Sequence, residues 1–212
     1  LGFIASDINN PFYVELFHYI ENHTRELGYK VLIADSERSY EKEKENIENM
    51  LQNQVEGLLV FPVVDILSSY NADPLLDLKL ERVPFVLLGK IPNHPFSYVV
   101  SEEVESSRQI TRYLIELGHR RLGLVLDHRQ LDRPSVERYQ GVAQALIEYG
   151  LCSKDEVDYT ISQIYVEDDD WEEQIERLLT GDNAPTALIP MSDVMALMMT
   201  RPLRRIGISV PG

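Results

Sequence analysis

The sequence predicts an α/β fold in two lobes, each a parallel sheet flanked by helices. Three observations carry this. Short apolar runs alternate with runs of helical period from one end of the 212 residues to the other. The apolar runs are nearly unbroken, as in Leu122–Leu126, which is the pattern of strands covered on both faces. A proline-containing passage around Asn93–Glu103 separates two such series, giving an N-terminal lobe over 1–96 and a crossover plus C-terminal lobe over 97–212.

Each element has its own signal. Leu1–Ser6 reads as a buried strand, and Pro11–Leu27 as a helix in which Phe12, Leu16, Tyr19, Ile20 and Leu27 recur near helical spacing. Gly28 stops that helix, and Lys30–Ala34 is the next strand. Glu41–Gln54 is a charged helix with Ile47, Met50 and Leu51 as its apolar stripe. Gly57–Phe61 is a strand ended by Pro62; a helix lies within Asp73–Leu80, followed by the strand Pro84–Leu88 and a short strand Tyr98–Val100. In the second lobe, the helix Glu102–Leu117 ends at Gly118, the strand Leu122–Leu126 follows, and the helix Ser135–Tyr149 ends at Gly150. Ile161–Val166 and Ala187–Pro190 read as strands, Asp170–Leu179 and Asp193–Ile206 as helices, with Pro202 as a break in the last.

Composition excludes several function classes. A net charge of -15 argues against this segment gripping nucleic acid by itself, because phosphate contacts need clustered Lys and Arg. Cys152 is the single cysteine, so no intrachain disulfide forms and a reducing compartment fits. No run reaches the roughly 18 apolar residues of a membrane span, and no signal peptide is visible. The chain starts at Leu1 inside a strand and stops at Gly212, so both ends read as cut from a longer protein.

Motifs for phosphate cradles, nucleophile elbows and helical zinc sites are absent from the sequence. None of His18, His23, His94, His119 and His128 pairs at four-residue spacing, and no metal or cofactor is expected. His119 with Arg120 and Arg121 suits a helix C-terminus. Asp168-Asp169-Asp170 reads as a helix start in which Asp caps free N–H groups, with a cation site as the other reading. The run Glu41-Lys42-Glu43-Lys44-Glu45 reads as a solvated helix face. Nothing here assembles a nucleophile or base, so an enzyme is not expected.

What the sequence does assemble is a set of strand ends. In an open α/β sheet, ligands bind beyond the carboxyl ends of the strands. Asp7-Ile8-Asn9-Asn10-Pro11-Phe12-Tyr13 follows the first strand: Asn10 caps the helix and Pro11 begins it, while Phe12 and Tyr13 could stack on a flat polyol face. Gly89-Lys90, Ser135–Gly141 and Met191-Ser192-Asp193 stand at other strand ends. Arg138, placed in the first turn of its helix, reads either as a ligand contact or as a surface cation paired with Glu137.

These stretches also carry a resemblance. "DINNPF" at 7–12, "EGLL" at 56–59, "PFVL" at 84–87, "LIELGHRRL" at 114–122, "ERYQG" at 137–141, and "APTALIPMSDVMAL" at 184–197 with "GISVP" at 207–211 follow one another along nearly the whole chain. In that order they resemble the effector-binding domain of the lactose/galactose repressor family of bacterial transcription regulators, and are similar to periplasmic sugar-binding proteins of the same fold. The resemblance implies a periplasmic-binding-protein-like fold with a ligand cleft between the lobes. It implies a cytoplasmic homodimer that takes a small, sugar-like effector and binds operator DNA through a helix-turn-helix outside this fragment, with no membrane partner. The alternative is a solute-binding protein of a sugar transporter.

Residue by residue, Asn10, Phe12 and Tyr13 match the family's first ligand loop and Arg138 its ligand-binding arginine. Ser192 and Asp193 stand where an Asn-Asp pair is usual, so the serine departs from the pattern. Lys90 stands where an Arg is common, Gly89 replaces the preceding Asp, and Glu102 stands for a common Asp. The family's later strand with a pocket aspartate would lie beyond Gly212.

Overall fold

The computed structural model describes residues 1–64, 71–126, 133–156, 162–166 and 169–210. Ile161, Asp168, His128, Pro211 and Gly212, all used above, lie outside the described residues. The chain divides into two compact units, Leu1–Ser101 and Glu102–Gly212.

The first unit runs β1 (Gly2–Ala5), α1 (Pro11–Glu26), β2 (Leu32–Asp35), α2 (Tyr40–Gln52), β3 (Leu58–Val60), α3 (Asp73–Leu80) and β4 (Phe85–Leu87). Its sheet is parallel throughout, in the order β2-β1-β3-β4. Side chains alternate across β1. Ile4 joins Ile47, Met50, Leu58, Leu75 and Leu78 under α2 and α3, while the Phe3 ring faces Phe17 of α1 at 6.0 Å. Helices therefore cover both faces, as the unbroken apolar strands require. Each fully buried Leu or Ile here contributes about 1.5–3 kcal/mol.

The second unit runs α4 (Glu103–Glu116), β5 (Leu122–Leu126), α5 (Arg133–Glu148), β6 (Ser162–Tyr165), α6 (Trp171–Thr180), β7 (Ala187–Pro190) and α7 (Asp193–Arg205). Its parallel sheet has the order β6-β5-β7. Leu122, Leu124 and Leu126 pack with Ile115, Val142, Ala145 and Leu146 of α4 and α5. Val125 turns the other way, onto Ile175, Met199 and Leu203 of α6 and α7.

Helix ends follow the sequence signals closely. Gly28, Gly118, Gly150 and Gly207 all have positive φ, and the residue after each donates its N–H five positions back, as His119 does to the Leu114 carbonyl at 3.1 Å. Arg120 adds the expected cation at a helix C-terminus, its Nη1 donating to the Ile115 carbonyl at 2.7 Å.

Five expectations are corrected. In α1 the half-buried stripe is Tyr13, Leu16, Phe17, Ile20 and Thr24, whereas Phe12, Tyr19 and Leu27 are exposed; the shift of one position turns Phe12 out over the strand ends. Tyr98–Val100 is not a strand but a single bridge from Tyr98 to Leu87. The break at Pro202 does not occur: α7 continues to Arg205 with Pro202 buried beside Met199 and Leu203. Glu43 is not on a solvated face. It is fully buried and its Oε2 accepts the Val63 N–H at 2.5 Å, tying α2 to the segment after β3. Asp170 precedes α6 without capping it; its carboxylate accepts instead from Gln174 Nε2 at 2.7 Å and Arg177 Nη2 at 2.9 Å.

Helices α4 and α5 meet at unusually short range. A Cβ on Gly141 would lie 2.2 Å from the Val104 carbonyl oxygen and 2.8 Å from Ser107 Cβ. Arg108 clasps the same pair of helices, bonding Glu105 of α4 through Nη2 at 2.7 Å and Glu148 of α5 through Nη1 at 3.1 Å. Hydrogen bonds from Gln109 and Arg108 hold the Glu105 carboxyl below its ordinary value of 4.5. A carboxyl depressed on folding contributes stability that is present above its unfolded pKa and disappears as pH falls through the folded one. Thermal unfolding followed against pH should therefore show the wild type losing more stability below pH 4.5 than Glu105→Gln loses; parallel curves would mean that the clasp carries no linkage.

Candidate functional site

In each unit the strand order reverses direction once, and there the loops leaving neighbouring strands diverge to form a crevice at the carboxyl ends. In the first unit the reversal lies between β1 and β3, in the second between β5 and β7. No described helix is long and apolar enough to cross a membrane, and no cluster of metal-ligating side chains is present among the described residues.

In the first unit the segment after β1 is held by its own side chains. Asp7 Oδ1 accepts the Asn9 N–H at 3.0 Å, and its Oδ2 lies 3.3 Å from Arg38 Nη2. Asn10 Oδ1 accepts the Phe12 N–H at 3.0 Å, so Asn10 is the cap of α1. Ser6 Oγ donates to Tyr13 Oη at 2.6 Å, fixing the tyrosine at the strand end. Phe61, leaving β3, completes an aromatic group: its ring centroid is 4.8 Å from Tyr13 and 6.1 Å from Phe12, both edge-on. Edge-to-face packing of this kind holds rings in place beyond simple area burial. Phe12 remains 57% exposed, so one ring of the group is offered to solvent.

Lys90 follows β4 on the same edge, with Nζ 5.5 Å from the centre of the Tyr98 ring. Gly89 before it has a local reason to lack a side chain, because a Cβ there would stand 3.0 Å from Pro62 Cδ.

In the second unit the strand end is organised around Arg138. Its helix begins by Arg133, so Arg138 sits in the second turn and not the first. Glu137 is not its partner either: Glu137 pairs with Arg133 at 2.7 Å, one helical turn away. Arg138 Nε donates to Glu103 Oε2 at 2.6 Å, and Nη1 donates to the Met191 carbonyl at the end of β7. Arg138 thus joins α5, the first residue of α4 and the turn from β7 into α7. Ser192 caps α7, its Oγ accepting the Met195 N–H at 3.3 Å. Asp193 follows as the first helical residue, exposed, where the helix N-terminus favours an anion.

Asn10, Phe12 and Tyr13 are therefore brought together in the first unit, and Arg138, Ser192 and Asp193 in the second; Lys90 stands apart at its own strand end. Sequence reasoning missed Phe61 and Glu103. Phe61 looked only like the end of an apolar run, and its significance depends on β3 lying beside β1. Glu103 is one residue from Glu102, which the sequence reading singled out as standing in place of a common Asp; the partner of Glu103 is 35 residues away and has no local signal. A concavity of about 470 Å³ lies between α6 and α7, lined by Glu173, Glu176, Arg177, Thr180, Arg205 and Ile206. It is remote from the strand ends, and its charges are engaged with one another, as in Arg205 with Glu176 at 3.2 Å.

Known proteins share this architecture. Residues 111–212 match the family described as a periplasmic binding protein-like domain. The whole chain aligns at 29% identity with 60% of the HTH-type transcriptional repressor PurR of Haemophilus influenzae (strain PittEE), so it spans about three-fifths of the length of such relatives. A crystal structure assigned as a ribose operon repressor from Burkholderia thailandensis superposes with a TM-score of 0.75 at 28% identity, over 98% of this chain and 74% of that one. A transcriptional regulator from Enterococcus faecium, crystallised with bound ribose, shares the fold with a TM-score of 0.78 at 20% identity, over 98% of this chain and 72% of that one.

Proposed function

We propose that the chain is a periplasmic-binding-protein-like effector-binding domain of the lactose/galactose (LacI/GalR) repressor family that senses a small, sugar-like molecule on behalf of a DNA-binding regulator, a reading supported by the family match over residues 111–212 and by the repressor relatives. The observation that carries this reading is the pair of strand ends: an exposed aromatic beside a capping amide in the first unit, and an arginine beside a capped helix N-terminus in the second. An aromatic face and a guanidinium fork are the groups that recognise a ring bearing hydroxyls. Asn10, Phe12, Tyr13, Lys90, Arg138, Ser192 and Asp193 are the proposed ligand-facing residues. The role is recognition and not catalysis.

The regulator is proposed to act in the cytoplasm as a homodimer, gripping operator DNA through a helix-turn-helix outside these residues. Effector affinity that differs between two conformations shifts the balance between them, and with it the affinity for DNA. The repressor relatives favour this over a transporter's solute-binding protein. Gel-shift titration of the full-length protein on its operator tests the role. A ligand that stabilises this domain should change operator affinity at least tenfold; unchanged affinity at saturating ligand contradicts it.

Phe12→Ala should weaken effector binding a few-fold or more while leaving the melting temperature of the ligand-free protein nearly unchanged, since the ring is mostly exposed. Stacking on a nucleobase is worth ~1–3 kcal/mol, and a sugar face gains less. Calorimetric titration of wild type and variant checks this; equal affinities would remove Phe12 from the site.

A further inference from the structure

The loop from β1 to α1 carries Asn10 and Phe12, and its first residues are held by the neighbouring edge strand, β2. Asp35 ends β2 beside Ala5, and its two carboxylate oxygens go different ways. Oδ1 accepts the Glu37 N–H at 2.9 Å, within its own turn. Oδ2 accepts the Ile8 N–H at 3.3 Å, across to the loop. Farther along the same turn, the Arg38 N–H donates to the Ser6 carbonyl at 2.8 Å, and Arg38 Nη2 lies 3.3 Å from Asp7 Oδ2. Ser36, fully buried, donates from Oγ to the Ala5 carbonyl at 3.0 Å. The turn that makes these contacts is a costly one. Glu37 and Arg38 are consecutive non-glycine residues with φ of 48° and 57°, the left-handed region that side chains disfavour. Strain of this kind persists where the surroundings fix the backbone, and it gathers at binding sites.

We propose that Asp35 is a positioning residue for the effector site: without touching the effector, it sets the course of the first ligand loop and with it the placement of Asn10 and Phe12. This rests on the effector-domain reading above and adds a residue that acts through others. The loop region is then held from both strands that flank β1, by Asp35 and Arg38 on the β2 side and by Phe61 on the β3 side. A loop fixed before binding loses less conformational freedom when the effector arrives, so its order is converted into affinity.

Asp35→Asn separates this role from that of an ordinary turn residue. Asparagine serves a turn as well as aspartate does, but it has one acceptor oxygen where the carboxylate has two. That oxygen stays with the nearby Glu37 N–H, and the Ile8 N–H loses its partner. Amide hydrogen exchange of the effector-free protein, read by NMR, should show Ile8 exchanging about tenfold faster in Asp35→Asn, as the loss of one hydrogen bond to a charged group implies. Glu37, the β1 amides of Phe3 and Ile4, and the unfolding midpoint should stay close to the wild type. Asp35→Ala, which removes both acceptors, should release Ile8 and Glu37 together. Ribose, galactose and adenine are titrated in parallel by calorimetry, and any of them that the wild type binds should bind both variants several-fold more weakly. Ile8 exchange at the wild-type rate in either variant overturns the proposal, as does faster exchange with no loss of affinity for a probe that the wild type binds. The exchange measurement needs no effector, so failure of the effector role shows separately, in operator affinity that no ligand moves.

Discussion

Gly141→Ala destabilises the second unit by about 2–3 kcal/mol, although alanine is intrinsically the better helix former by about 1 kcal/mol. The reason is the separation of α4 and α5. An added methyl would stand 2.2 Å from the Val104 carbonyl oxygen and 2.9 Å from the Arg108 backbone nitrogen. Both are backbone atoms of a regular helix, so neither can step aside as a side-chain tip would. The helices must part, and the packing of Ile115, Val142, Ala145 and Leu146 against Leu122 and Leu124 opens with them. Urea unfolding should show a lower midpoint with little change in slope, and the melting temperature should fall by about 10 °C or more for a unit of this size. A midpoint equal to or above that of the wild type would mean that the close crossing does not exist in solution.

Arg138→Ala abolishes effector-dependent stabilisation and lowers stability by about 1–2 kcal/mol, while the fold survives. The binding loss follows from removing the fork at the end of β7. The stability loss follows from breaking the ion pair of Arg138 with Glu103, a carboxylate whose side chain is mostly buried. Adding Glu103→Gln to Arg138→Ala should recover most of the lost stability and none of the binding, which separates the two roles through a double-mutant cycle. Binding that persists in Arg138→Ala would remove the residue from the site.

Much of the fold was legible because its signals are local or periodic. The bounds of β5, β7 and α3 coincide with the apolar runs and helical stretch that announced them, and Gly28, Gly118 and Gly150 stop their helices through positive φ, as only glycine does readily. The Asn10 cap was legible for the same reason, since a cap bonds within three residues; that Ser192 caps its helix emerged only from the structure. What depends on distant packing was not legible. Helical spacing alone could not say that Phe12 and Tyr19 face solvent while Tyr13 and Phe17 turn inward, because aromatic residues occupy both faces of α1. The charged run beginning at Glu41 concealed one buried member, Glu43, which accepts from Val63 on the segment after β3, 20 residues away. Arg138 was visible at a strand end, but its pairing with Glu103 arises only when α4 and α5 are packed together. Phe61 becomes a candidate only once β3 is known to lie beside β1.

The most direct test of the effector-site assignment is a thermal-shift screen of neutral sugars and nucleobases, repeated on Phe12→Ala and Arg138→Ala. The account predicts that at least one neutral, hydroxyl-bearing compound raises the wild-type melting temperature, that Phe12→Ala reduces this shift, and that Arg138→Ala eliminates it. A compound that stabilises all three proteins equally would contradict the account, because its binding would then depend on neither strand end.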